Sequence, residues 1–365
     1  MKLHIFNPEH DIALAYNSIL FTPPHAGREL RSDLGFIPAL WADDGDFVLV
    51  DDVEAALERV RHIRSLAHDV VFVSKNDIPA LVADAPDTLK IDPWGWDKAL
   101  CHNLQRYGIP SEMLPANETL DDIRTMSGRG WANKLRSQMA IYKKGVIAIP
   151  REHTSVDDFL QSYSSYYHHR AVVKSPWSSS GRGVRYFSGE LRKQELGWLK
   201  NVIQQQGSVV SEVYYNKVKD FAVEFYAHAD GSVEYAGLSL FKTINGAYTG
   251  NVIASETEKW QMMGDDSVAN VLRETIDELI MILQPYMKGV YCGPFGIDMM
   301  LLPERILHPC VELNLRRTMG HVALAITPEK SVPQRLMRID YTNRYHLRVI
   351  DTFENIINNS LIPHL

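Results

Sequence analysis

Two short stretches of this chain hold residue types that can act together on a charged, oxygen-rich ligand. In the first, VVKSPWSSSGRGVRYF over residues 172–187, an apolar run ends in Lys174 and gives way to small residues. An ammonium at a strand end beside a Ser/Gly loop can surround one anion with a positive charge and several bare backbone N–H groups. Small side chains let the backbone approach phosphate oxygens closely. Lys174, Ser178, Ser179, Ser180, Gly181, Arg182 and Gly183 are the candidate donors. The pattern is neither G-x-x-x-x-G-K-[ST] nor G-x-G-x-x-G. Alone it also fits a surface loop with a lysine that reaches for solvent.

The second stretch is CVELNLRR, read as a strand, where residues two apart share a face. Glu312, Asn314 and Arg316 therefore point one way, and Leu313 and Leu315 point the other, into a core. Upstream, GPFGIDMMLL holds Asp298, and PER marks the turn between the two strands. A hairpin folded about residue 305 sets Asp298 opposite Glu312. Carboxylates paired across strands lie roughly 4.5–5.5 Å apart and repel, so a cation belongs between them. Two carboxylates and an amide oxygen are hard ligands of the kind Mg²⁺ takes when it also holds phosphates. Arg316, one step further along, can grip a phosphoryl or carboxylate group with two parallel hydrogen bonds. An ordinary exposed strand face with a Glu–Arg pair is the plainer alternative. A third stretch, VVSEVYYNKVKDFAVEF, ends a strand at Glu212 and Val213 and re-enters one at Asp220. Its edge can offer backbone groups to a purine, although a plain hairpin explains it equally.

The elements that must position these residues change character along the chain. KLHIF, FVLVD and VVFVS read as strands and VEAALERVRHIRSLA as a helix, and such alternation favours a parallel, Rossmann-like sheet. LPANETLDDIRTMSGRGWANK reads as a hinge, with Asn117 as the N-cap of a helix. Beyond it, AVVKSP, VRYFSG, SVVSEVYY, DFAVEFYAHADGSVEYAGLSLF, GPFGIDMMLL and ILHPCVELNLR read as strands joined by short turns, hence antiparallel hairpins. Helices are expected near 190–205 and 267–287, and RYHLRVIDTFENIINNSLIPHL reads as a last helix.

Bulk properties bound the function. At 365 residues the chain is long enough for two or three domains. A formal net charge of -7 argues against a dedicated nucleic-acid binder, and no apolar run is long enough to span a bilayer. Cys101, Cys292 and Cys310 are far apart in apolar surroundings and read as reduced, buried residues of a cytoplasmic protein.

In order, the three stretches resemble the ATP-grasp superfamily, of the carboxylate–amine ligase type, over residues from about 130 to 325. The resemblance implies ATP held between two α+β lobes. Lys174 and the 178–183 loop would contact its α- and β-phosphates, and Lys134 in WANKL would match the family's earlier phosphate-binding lysine. Glu212 and Val213 would meet adenine, and Asp220 the ribose. Asp298, Glu312 and Asn314 would hold Mg²⁺ (or Mn²⁺), and Arg316 would steady an acyl phosphate. Lys242 and Asn251, in FKTINGAYTGN, would face the γ-phosphate. The serine-rich loop departs from the glycine run of family members, which puts its mobility as a lid in doubt.

The implied fold is a Rossmann-like domain over 1–120, two ATP-grasp lobes over 121–207 and 208–340, and a helix over 341–365. The implied function is an ADP-forming ligase that activates a small-molecule or peptide carboxylate for attack by an amine, acting on neither nucleic acid nor membrane, and a homodimer is compatible with it. A small-molecule kinase on the same fold and a nucleotide-binding regulatory protein are the alternatives. For the acceptor, FNPEHDIALA carries Asn7, Glu9, His10 and Asp11 beyond the first strand, where ligands sit in open α/β sheets. With Asn7 as N-cap and Pro8 at N1, the same residues also make a good helix start with no ligand. Arg28 and Arg31 nearby can bind a carboxylate or form a solvated helix face.

Overall fold

The computed structural model describes residues 1–178, 183–244, 247–327 and 334–351. The alternating apolar and amphipathic runs of the first hundred residues fold as a four-stranded sheet in which every pair is parallel, with the order β3-β2-β1-β4. Its strands are β1 (Lys2–Ile5), β2 (Phe47–Leu49), β3 (Val71–Val73) and β4 (Lys90–Pro93), the last unmarked by any apolar run. Between and after them lie α1 (His10–Tyr16), α2 (His25–Leu34), α3 (Val53–Val60), α4 (Ile78–Asp84) and α5 (Lys98–Arg106). Two of these helices start where a carboxylate satisfies a free amide. Asp52 accepts from Ala55 N at 3.0 Å and Asp97 from Leu100 N at 2.8 Å.

Two antiparallel sheets follow. The smaller has the order β5-β8-β6-β7 and contains β5 (Arg151–His153), β6 (Arg170–Lys174), β7 (Val184–Ser188) and β8 (Val209–Val213). The larger has the order β13-β12-β9-β10-β11-β14-β15. It comprises β9 (Lys219–Ala227), β10 (Val233–Ile244), β11 (Ala247–Ile253), β12 (Gly293–Leu301), β13 (Leu307–Asn314), β14 (Arg335–Tyr341) and β15 (Tyr345–Asp351). Phe221, Val223, Phe225, Phe295 and Ile297 from β9 and β12 are fully buried under the helix Asp266–Met287. Each such side chain contributes about 1.5–3 kcal/mol, so this is the stiff platform on which the β12–β13 hairpin stands. A second core joins Phe6, Phe36 and Val48 of the N-terminal region to Ile253, Met337 and Leu347 of the large sheet and Val322 of the helix Met319–Ala325.

Several expectations change here. Residues 345–351 form β15 instead of a helix, and the sequence shows why. Leu347 is buried while Arg348 is exposed, a period of two that suits an edge strand. Residues 352–365 lie outside the described residues. The polar, Gly-rich stretch after β10 is largely strand β11, with Gly250 at φ +154° packed too close to Met337 O for any side chain. The helix Asn117–Met126 is present, but Ala116 occupies its N-cap position and Asn117 is its first residue. Cys101 and Cys310 are buried, whereas Cys292 is exposed. Among the described residues no helix is long and apolar enough to cross a membrane.

Candidate active site

The β12–β13 hairpin turns at Pro303–Arg305 and pairs Asp298 with Glu312 and Gly296 with Asn314. The period of two then works as expected. Leu313 and Leu315 are buried in the core, and Glu312, Asn314 and Arg316 share the opposite face. Burial, with the Glu312 carboxylate beside it, pushes the Asp298 carboxyl up to about 7. This face therefore holds two carboxyl groups that cannot both ionise comfortably without a cation.

Arg316 is tied on both sides. Its Nε and Nη2 donate to Asp11 Oδ1 and Oδ2, each at 2.8 Å, and Nη2 also donates to Asn314 Oδ1 at 3.0 Å. Burial raises the Asp11 carboxyl, but the guanidinium outweighs it and holds Asp11 below the ordinary range. One helix of the parallel sheet thus supplies the partner that orients the arginine.

Sequence reasoning missed Arg129. It lies in the hinge, is almost fully buried, and donates to Ser175 O at 2.6 Å, Ser178 Oγ at 2.8 Å and Glu312 Oε1 at 2.7 Å. One guanidinium therefore joins the phosphate-loop candidate to the metal-face candidate. A signal existed in SGRGW, an arginine between two glycines. Gly130 is packed against the Glu152 carboxylate with no room for a Cβ. Asp11, Ser127, Trp177, Ser178, Glu312 and Asn314 line a single small cleft there.

Lys174 ends β6 as expected and is buried, with Nζ 2.8 Å from Glu212 Oε1 on the paired strand β8. Burial alone would raise the Glu212 carboxyl, yet Lys174 and Arg136 hold it below the ordinary range. Arg136 is fully buried and donates to the carbonyls of Cys310 and Val311 at 2.9 and 3.0 Å. Lys134, two residues earlier, is exposed, and its ammonium sits 5.9 Å from the centre of the Trp131 ring. The buried cations of that segment are arginines. Val213 ends β8 partly buried, and Asp220 on β9 forms an ion pair with Lys217. Ser178 and Gly183 bracket the loop, and Gly183 has no space for a Cβ between Ser175 and Ser178. Ser179, Ser180, Gly181 and Arg182 lie outside the described residues.

Behind the Asp298, Glu312 and Asn314 face is a second missed residue, Glu224, 1% exposed and directly opposite Gly296. Its carboxylate lies 3.0 Å from His321 Nδ1, and burial above all pushes it up to about 8. A lone acid inside the apolar run of β9 was the legible signal. Asn251 is buried in the same network, donating to Ser239 Oγ at 2.8 Å, while Lys242 is partly buried on β10. Of the N-terminal candidates, Asn7 donates to Gly95 O at 2.9 Å, His10 Nδ1 lies 3.3 Å from Asp97, and Glu9 accepts from Arg31 at 2.6 Å. None of the three joins the metal face. Asn7 is not the N-cap, because α1 begins at His10 with Glu9 before it. Asp11 does join, since residues two apart on a helix point about 200° apart.

With this geometry in hand, the fold is similar to those of several solved nucleotide-bound enzymes. Biotin carboxylase from Campylobacter jejuni, solved as a β-γ-ATP complex, matches with TM-score 0.53 at 12% identity, covering 93% of this chain and 75% of that one. N5-carboxyaminoimidazole synthetase from Staphylococcus aureus, complexed with ADP, matches with TM-score 0.50 at 11% identity, covering 93% and 82%. The biotin carboxylase domain of Hydrogenobacter thermophilus 2-oxoglutarate carboxylase, with MgADP and bicarbonate, matches with TM-score 0.50 at 12% identity, covering 93% and 74%. No protein-family model and no curated protein matches the sequence significantly.

Proposed function

We propose that this chain is an ADP-forming ligase that activates a carboxylate with ATP and passes it to an amine. The observation that carries the reading is the Arg129 bridge. It unites the end of the Lys174 strand and the Ser178 loop with a face of Asp298, Glu312 and Asn314. On this reading residues 1–120 form a Rossmann-like substrate domain, and 121–207 and the lobe from 208 onward enclose the nucleotide.

The donor set fits Mg²⁺: two carboxylates held opposite each other and an amide oxygen, all hard ligands, with the repulsion at Asp298 relieved by a cation. Asp298, Glu312 and Asn314 would hold it, and the ion would supply positive charge to the phosphates. Lys174, Ser178 and Gly183, with residues 179–182 between them, are the proposed phosphate cradle. Glu212 and Val213 form the proposed adenine edge and Asp220 the ribose contact. Lys242 is the residue proposed for the γ-phosphate. Asn251 holds Ser239 in the buried network and acts from behind.

In the reaction a substrate carboxylate oxygen attacks the γ-phosphorus, the bond to the β-phosphate oxygen breaks, and ADP leaves. The acyl phosphate so formed is gripped by Arg316, whose plane is set by Asp11. An amine nitrogen then attacks the acyl carbon, loses a proton and expels phosphate. Neighbours with ADP, ATP analogue, or MgADP and bicarbonate support this reading. It is tested by ADP release from Mg·ATP by purified protein against pooled amino acids, peptides and small carboxylates, with Lys174→Ala as control. ADP that requires both a carboxylate and an amine is the expected result.

A further inference from the structure

A cavity of about 490 Å³ opens at the carboxyl ends of β1, β2 and β3, within the size range of small-molecule sites. It has an apolar floor of Ile5, Leu49 and Leu104. Its polar groups are arranged with opposite charges at opposite ends. At the β1 end is Glu9, 7% exposed, whose Oε1 accepts from Arg31 while Oε2 has no hydrogen-bond partner among the described residues. Asp51, after β2, lies 3.5 Å from Arg31 Nε, so one guanidinium serves two carboxylates there. At the β3 end stand Lys75 and Asn76, both exposed, with no side-chain hydrogen bond or ion pair to the described residues. Ile5, Leu49 and Val73 are in register, and neighbouring strands are about 4.8 Å apart. The ends of β1 and β3 are therefore about 10 Å apart.

A buried carboxylate oxygen without a partner calls for a donor, and the Arg31 Nη1 group is already given to Oε1. Lys75 and Asn76, exposed at the other end, are placed to meet an anion held in the cavity. We propose that this cavity binds a small zwitterion, its ammonium at Glu9 and Asp51 and its carboxylate or phosphate at Lys75 and Asn76. The cavity is distinct from the metal face. Helix α1 separates them, with Glu9 and Ala13 lining the cavity and Asp11 and Leu14 lining the cleft. The site does not depend on the ligase reading.

The test is isothermal titration of the whole chain with 6-aminohexanoate and 5-aminopentyl phosphate, with hexylamine and hexanoate as single-charge controls. Both zwitterions, or the one with the fitting anion, should bind at least tenfold more tightly than the controls. Glu9→Gln, which keeps the contact to Arg31, and Lys75→Ala, on the surface, should each weaken binding at least tenfold. Lys174→Ala, the variant that tests nucleotide binding, should leave zwitterion affinity unchanged, so the two readings fail separately. Absence of binding by either zwitterion, or equal affinity in wild type, Glu9→Gln and Lys75→Ala, would overturn the proposal.

Discussion

Asp11 and Arg316, 305 residues apart in the chain, meet in a two-pronged ion pair with both N–O distances at 2.8 Å. One belongs to the parallel sheet's first helix and the other to the strand that carries the proposed metal ligands. Asp11→Asn leaves the fold's cores intact but gives up one charge-assisted bond, a loss of about 1.5–3 kcal/mol. If Arg316 acts on the acyl phosphate, turnover should fall by roughly 10- to 100-fold, with Mg·ATP affinity nearly unchanged. Arg316→Lys should be as poor, because an ammonium cannot keep both prongs. Steady-state kinetics beside nucleotide titration separates the two effects.

Lys174 and Glu212 form a buried pair, 6% and 5% exposed. Lys174→Ala strands the Glu212 carboxylate and should cost about 3–5 kcal/mol of stability. The double variant Lys174→Met, Glu212→Leu should recover most of that stability and none of the nucleotide affinity. Urea unfolding with ATP titration measures both. Recovery of binding together with stability would remove Lys174 from the phosphate cradle.

Gly183 closes the loop with its carbonyl accepting from Ser175 N at 2.8 Å, and a Cβ there collides with the Ser175 and Ser178 hydroxyls. Gly183→Ala should therefore displace Ser178 from Arg129, at about 1–3 kcal/mol. The expected readout is a roughly tenfold or greater rise in KM for ATP, with the far-ultraviolet spectrum unchanged.

The Asp298 carboxyl titrates near 7 in the folded chain against an ordinary 3.8. Between those values the folded state keeps a proton that the unfolded state has lost. Its contribution to stability is thus complete below the ordinary value and is lost as pH rises through about 7. Wild type compared with Asp298→Asn should lose relative stability from pH 4 to pH 7, and Mg²⁺ at pH 8 should restore it. Metal affinity should weaken as pH falls below about 7, because the proton competes with the ion. Parallel stability curves for the two proteins would contradict the assignment.

Much of this site was legible because strands have a period of two. Asp298 opposite Glu312, and Leu313 and Leu315 turned inward, follow from spacing and one turn. Lys174 at a strand end was equally readable. Arg129 was not, since its partners lie at 175, 178 and 312 and nothing local sets where it points. Asp11 stood among the candidates after β1, but nothing local showed that its partner would be Arg316, 305 residues away. Strand β15 was mistaken for a helix because its alternation is short and runs into a helix-like tail, and β4 lacked an apolar run altogether.

The central claim is that phosphate leaves carrying an oxygen that belonged to the substrate carboxylate. The direct test is incubation with Mg·ATP, amines and a pool of carboxylates labelled with ¹⁸O, followed by mass analysis of the inorganic phosphate. One ¹⁸O in the phosphate, formed in step with ADP and absent in the Lys174→Ala protein, is the predicted result. ADP formed with unlabelled phosphate, or with the phosphoryl group retained on a product, would contradict it.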